Sequence, residues 1–126
     1  MIMDMGKVVF TAVRSDRTEI WVHIYYYPDS VMVEIFDNEE QVFMREARRN
    51  NIDEMDKLVS GVRDAINLVC AITPIIRFRV GTEHVLVKYE CDGKNLYERL
   101  WKTIRYTLDT LYPNEPGNPL SFLHHT

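Results

Sequence analysis

The chain has 126 residues, 46% of them hydrophobic and 27% charged, with a formal net charge of −4. That length and apolar share suit a single domain that buries roughly two-thirds of its unfolded surface without help from disulfides or metals. The acidic balance excludes a chain that grips polyanions over its whole surface, and no apolar run approaches the ~20 residues of a membrane-spanning helix.

The charge is uneven. Residues 1–63 hold 8 basic and 12 acidic side chains and residues 64–126 hold 7 of each, so a nucleic-acid surface has to be a local patch. Met1-Ile2-Met3-Asp4-Met5 lacks the basic and apolar regions of a secretory signal, which sets the expectation of a cytoplasmic protein. Cys70 and Cys91 have neither the spacing of a redox pair nor a histidine set for zinc. They read as buried free thiols.

In chain order, Lys7–Val13 reads as a first strand ended by Ser15-Asp16-Arg17, and Thr18–Tyr27 as a second ended by Pro28-Asp29-Ser30. Val31–Phe36 alternates as a third. Asp37-Asn38-Glu39-Glu40 is a hairpin-type turn into Gln41–Glu46, a fourth strand for which a helical start at Glu39 is the alternative. The period then changes from two to 3.6. Ile52, Met55, Leu58, Val59, Val62, Ala65, Ile66 and Val69 share one helical face. Asn51 and Glu54 have the spacing of a two-way N-cap, and Thr73-Pro74 closes the helix. Ile75–Val80 and Val85–Glu90 read as a hairpin across Gly81-Thr82. Asn95 and Glu98 repeat the capping signal before a helix that buries Leu96, Leu100, Ile104, Leu108 and Leu111, and Pro113 ends it.

A strand pair followed by a capped amphipathic helix is thus written twice, over Val31–Ile72 and Ile75–Tyr112. At an offset of 44 residues, Glu46, Asn51, Ile52 and Glu54 fall on Glu90, Asn95, Leu96 and Glu98. The expected fold is α+β: a mainly antiparallel sheet of about six strands, in the order β-β-β-β-α-β-β-α, with two long helices packed on one face. Residues 1–112 form the domain, and 113–126 a proline-rich tail with Leu120, Phe122 and Leu123 as an apolar anchor.

The second strand is apolar or aromatic on both sides. Ile20, Val22, Ile24 and Tyr26 point one way, and Trp21, His23, Tyr25 and Tyr27 the other. A strand covered on one side shows polar residues on its second face. Something is therefore expected to cover the Trp21 side: another part of the chain, a second subunit or a ligand. Tyr and Trp suit a partner surface because they combine large area with a polar tip. Trp21, His23, Tyr25, Tyr27, Leu120, Phe122 and Leu123 are accordingly the candidate interface residues.

Two basic sets are candidate anion or nucleic-acid contacts. Arg45, Arg48 and Arg49 precede the first helix, whose N-terminal N–H groups attract anions, although Asp53, Glu54 and Asp56 already occupy that end. Arg77, Arg79 and Lys88 project from the second hairpin. Arg99, Lys102 and Arg105 line the last helix, where interleaved acids suggest a solvated face. None of His23, His84, His124 and His125 has metal-site spacing. Ser15, Ser30, Ser60 and Ser121 lack the context of a nucleophile, and the five glycines are scattered rather than gathered in a phosphate loop. The expectation is a non-enzymatic interaction protein, without cofactor or membrane association, that self-associates as a dimer or binds a protein partner. A nucleic-acid-binding module using sheet aromatics and the arginines is the alternative. In style, a compact α+β domain with tight hairpins, the chain resembles the small accessory proteins of viruses and mobile elements. The resemblance is of type, without a shared motif.

Overall fold

Period-two alternation builds the sheet, and the residues it turns inward also meet the helices. The computed structural model describes residues 5–82 and 89–111. Its elements are β1 (Gly6–Arg14), β2 (Glu19–Tyr26), β3 (Ser30–Asp37), β4 (Glu40–Arg48), α1 (Ile52–Cys70), β5 (Ile75–Thr82), β6 (Tyr89–Asp92) and α2 (Leu96–Asp109). The strands join in the order β4-β3-β2-β1-β5-β6, each neighbour antiparallel. Five strands have eight or nine residues, and β6 is a four-residue edge. The α+β class and the antiparallel sheet are as the alternation predicts. The segment after Asn38-Glu39 is strand β4, not the start of a helix.

One cluster forms the core. Val8, Phe10, Val22, Ile24, Val33, Ile35, Phe78 and Val80 supply it from the strands; Met55, Leu58, Val62 and Ile66 from α1; Leu100, Ile104 and Leu108 from α2. Helix α1 lies against β3 and β4, and α2 against β5. The helices are unequal, with 19 residues in α1 and 14 in α2. Ile52, expected on the core stripe, is instead 67% exposed. It is the first residue of α1, before the helix has closed on the sheet. Gly61, in mid-helix, lies where α1 packs tightly on β4. A Cβ there would stand 3.1 Å from both the Phe43 ring and the Arg45 guanidinium.

The sheet repeats itself about an axis normal to its plane, between β1 and β2. Rotation by half a turn carries β1 onto β2, β3 onto β5 and β4 onto β6, with every strand direction preserved by the antiparallel pairing. Hairpin-then-helix therefore occurs twice, as β3-β4-α1 and β5-β6-α2. The residue match at an offset of 44 does not follow this symmetry. It sets inward Val33 and Ile35 on outward Arg77 and Arg79, and exposed Ile52 on buried Leu96.

The two caps also differ. Asn51 Oδ1 accepts the Glu54 N–H at 3.0 Å, as its spacing predicts. The return bond of a two-way cap goes elsewhere: Glu54 accepts the Arg48 N–H at 2.9 Å and holds its guanidinium at 2.6 Å. Asn95 is left-handed, with φ of 58°, and makes no side-chain cap bond, so the second capping signal does not act as one. Gly81-Thr82 is not a turn either. Both residues lie in β5, opposite Val9 and Val8, and residues 83–88 fall outside those described. At the first helix-bearing hairpin, Asn38 and Glu39 take φ of 51° and 73°, the paired positive values of a tight two-residue hairpin loop.

Arg14 closes the end of the sheet beside α1. Its guanidinium bonds Asp37, Thr18 Oγ1 at 2.7 Å and the Val69 carbonyl at 3.0 Å, with only 8% of the residue exposed. A buried cation needs such a set of partners, because leaving any one unmade costs the full desolvation of the group.

Candidate interaction surface on the open face of the sheet

Residues directly opposite each other in antiparallel strands share a face. Trp21 stands between Thr11 and Phe36, His23 between Val9 and Glu34, and Tyr25 between Lys7 and Met32. These nine side chains lie on the face turned away from the core cluster. The aromatic ones touch. Trp21 stacks on His23 with ring centroids 6.3 Å apart, and Phe36 lies 5.9 Å from Trp21 and 5.3 Å from His23. Tyr25 meets His23 edge-on at 6.3 Å. All four rings are partly buried. The edge strand β4 extends the patch with Met44, 59% exposed, opposite Glu34.

Each polar tip has a charged neighbour. The Trp21 Nε1 donates to Glu19 at 2.8 Å, and the Lys7 ammonium sits 5.0 Å above the Tyr25 ring. His23 faces Glu34 across β3. Burial, then Lys7, push the His23 imidazole below its ordinary value, against the pull of Glu34. The neutral form is thus favoured at the centre of the patch. Tyr27, 37% exposed, joins Met5, Gly6, Lys7 and Tyr25 around a hollow of about 310 Å³ at the end of this face.

Compared with known proteins, the chain matches no family model, no curated protein and no solved structure.

The structure brings Trp21, His23, Tyr25 and Tyr27 together, as the alternation of β2 implies. Leu120, Phe122, Leu123 and Lys88 lie outside the described residues. Phe36, Met32, Val9 and Met44 were missed as members of the patch. The signal for them was the outward set of β3, Met32, Glu34 and Phe36, which becomes informative only once β3 is paired to β2 in register.

The two arginine sets fall in different places. Arg77 and Arg79 project from β5 on the open face, opposite Val13 and Thr11. On their other side the register sets Asp92 opposite Arg77 and Glu90 opposite Arg79. Arg45, Arg48 and Arg49 are engaged near α1. Arg45 donates to the Lys57 carbonyl at 3.2 Å and lies over Phe43; Arg48 is clamped by Glu54, which is held below the usual carboxylate range by that contact. Arg49, only 6% exposed, donates to the carbonyls of Leu111 and Tyr27. A hollow of about 440 Å³ adjoins Arg48 and Arg49, but their guanidinium groups serve chain partners.

The remaining chemistry is quiet. Burial pushes the Cys70 thiol up to about 11, so it is not a nucleophile near neutrality. Among the described residues, no group of three or more His, Cys, Asp or Glu stands together as metal ligands would, and no helix is long and apolar enough to cross a membrane.

Proposed function

We propose that this protein is a non-catalytic interaction module whose docking surface is the open face of the sheet, centred on Trp21, His23, Tyr25 and Phe36. The observation that carries the reading is the contact of these four rings on the face turned away from the core cluster. A face left to water is normally polar. Four large rings, three of them with a polar atom, bordered by Lys7, Glu19 and Glu34, are instead the composition of a protein-binding patch with a charged rim. Nucleic-acid binding draws on the same aromatics with Arg77 and Arg79. The acidic neighbours weigh against it, since Asp92 is paired with Arg77 in register and Glu19 and Glu34 share the face.

The test is the accessibility of Trp21 in a Trp101→Phe background, which leaves one indole. Acrylamide should quench Trp21 fluorescence efficiently at nanomolar concentration, and less so once a partner is bound. An indole shielded at every dilution means the chain covers this face itself, and the reading fails.

A further inference from the structure

We infer that the hollow at the Tyr27 end of the open face is the seat of this chain's own C-terminal segment, residues 112–126, held there by Leu120, Phe122 and Leu123. Trp21, His23 and Phe36 are left to a partner, and the inference does not depend on there being one. Three features choose this occupant.

The first is where the described chain stops. Leu111, the last described residue, is buried, and its carbonyl accepts from the Arg49 guanidinium, which also donates to the Tyr27 carbonyl. The segment therefore starts one guanidinium away from the strand end that carries Tyr27. Tyr27 in turn lines the hollow of about 310 Å³ with Met5, Gly6, Lys7 and Tyr25.

The second is order. The hollow of about 440 Å³ beside Arg48 and Arg49 comes first on the way from Leu111, and Asp29 and Asn50 add to its polar lining. The hollow beyond it is lined by Met5 and two tyrosines. The segment is written in the same order: Asn114, Glu115 and Asn118 come first, and Leu120, Phe122 and Leu123 follow. Apolar side chains gain by leaving water for the second hollow, and polar ones keep their partners in the first.

The third is length. Pro113, Pro116 and Pro119 are spaced three apart, the repeat of a polyproline II helix, and proline fixes φ near the value that helix needs. Such a spacer rises about 3.1 Å per residue, so the steps from Pro113 to Leu120 span about 22 Å. The route to be bridged is about 10 Å between layers and about 7 Å along β2 from Tyr27 to Tyr25. The spacer covers it with a residue or two to spare. A spacer already extended loses little freedom when its far end docks, and it keeps the anchor at high local concentration.

The experiment is chymotrypsin cleavage of the full chain at Phe122, followed by mass spectrometry, with a peptide of residues 112–126 as the unprotected standard. In the wild type the cut should be about tenfold slower than in the peptide, and equally slow after roughly hundredfold dilution, because protection tracks the share of time the segment stands free. Tyr27→Ala with Met5→Ser should bring the rate to that of the peptide. Leu68→Ser with Ile72→Ser, which removes exposed apolar side chains at the far end of α1, should leave it slow. Far-UV circular dichroism checks that both variants fold. A wild type cut as fast as the peptide overturns the inference and leaves the hollow to residues 1–4, which adjoin Met5 in the chain. Protection that survives Tyr27→Ala with Met5→Ser, or that is lost with Leu68→Ser and Ile72→Ser instead, puts the segment on another surface and overturns it too. Protection that fades on dilution overturns it in favour of a second copy's segment. Quenching of Trp21 reads the other end of the face, so the docking surface stands or fails by itself.

Discussion

Replacing Trp21 by alanine separates a docking face from a core. In the monomer, Trp21 is half-buried, touches the rings of His23 and Phe36, and donates one hydrogen bond to Glu19. An aromatic pair contributes about 0.5–1.5 kcal/mol beyond its area, and a hydrogen bond about 1 kcal/mol when water competes for it. Part of the indole is solvated already, so Trp21→Ala should cost about 1–2 kcal/mol of monomer stability, by the same contributions. Phe78→Ala provides the comparison: its ring is 0% exposed in the core cluster. That truncation should cost about 3–5 kcal/mol, because it leaves a cavity. The assay is urea unfolding followed by far-UV circular dichroism at two protein concentrations tenfold apart. Trp21→Ala should keep the wild-type m value and lose far less of the midpoint than Phe78→Ala at both concentrations. Equal losses for Trp21→Ala and Phe78→Ala at low concentration would refute the reasoning, since the chain would then bury this face on its own.

Other perturbations read other parts of the structure. Glu39 holds a φ of 73° without the freedom of glycine, so Glu39→Gly should stabilise the fold by about 1 kcal/mol in a thermal melt. Arg14→Ala strands Asp37 and the Val69 carbonyl and should lower stability by about 3 kcal/mol, measured by urea unfolding. Gly61→Leu forces α1 away from Phe43 and Arg45 and should destabilise by about 1–3 kcal/mol, read the same way. His23 gives an acid response. Its folded pKa lies below the unfolded value of 6.5, so as pH falls through 6.5 the unfolded chain gains a proton that the folded chain resists. Its contribution to stability, full above that pH, is lost down to the folded pKa, and His23→Gln should flatten this part of a stability–pH curve.

What the sequence made legible were the periodicities. Alternation located β1 to β4 within a residue or two and sorted Ile20, Val22 and Ile24 from Trp21, His23 and Tyr25. The helical stripe of α1 was legible too, apart from Ile52, whose exposure depends on where the first turn stands relative to the sheet. Local signals with two physical uses misled. Gly81 has the freedom for a turn, yet in β5 it serves as a paired strand residue. Asn95 has the chemistry of a cap but takes a left-handed backbone, which asparagine also tolerates. Arg14 was invisible because its partners are 4, 23 and 55 residues away in the chain. The patch needed the same long-range information, since Phe36 joins Trp21 only through the β2–β3 register.

The composition of the open face has its own logic. A face of Ile, Val and Leu in place of these rings would join the partner permanently and aggregate before it did so. Here three of the four rings carry a polar atom with a charged neighbour, Trp21 with Glu19, Tyr25 with Lys7 and His23 with Glu34, and Phe36 alone is purely apolar. Those contacts keep the uncovered face hydrated, and they suit the rim of a docking surface. The attraction left over is modest, and it depends on His23 being neutral. Acid charges His23 beside Lys7, and the two cations are then balanced locally by Glu34 alone at the middle of the face. Association through this surface should therefore weaken as pH falls below the ordinary histidine value of 6.5, with concentration-dependent mass as the readout, because an imidazolium loses more hydration at an interface than at an open sheet. An interface elsewhere on the molecule would keep its mass through the same titration in the His23→Gln variant and in the wild type alike.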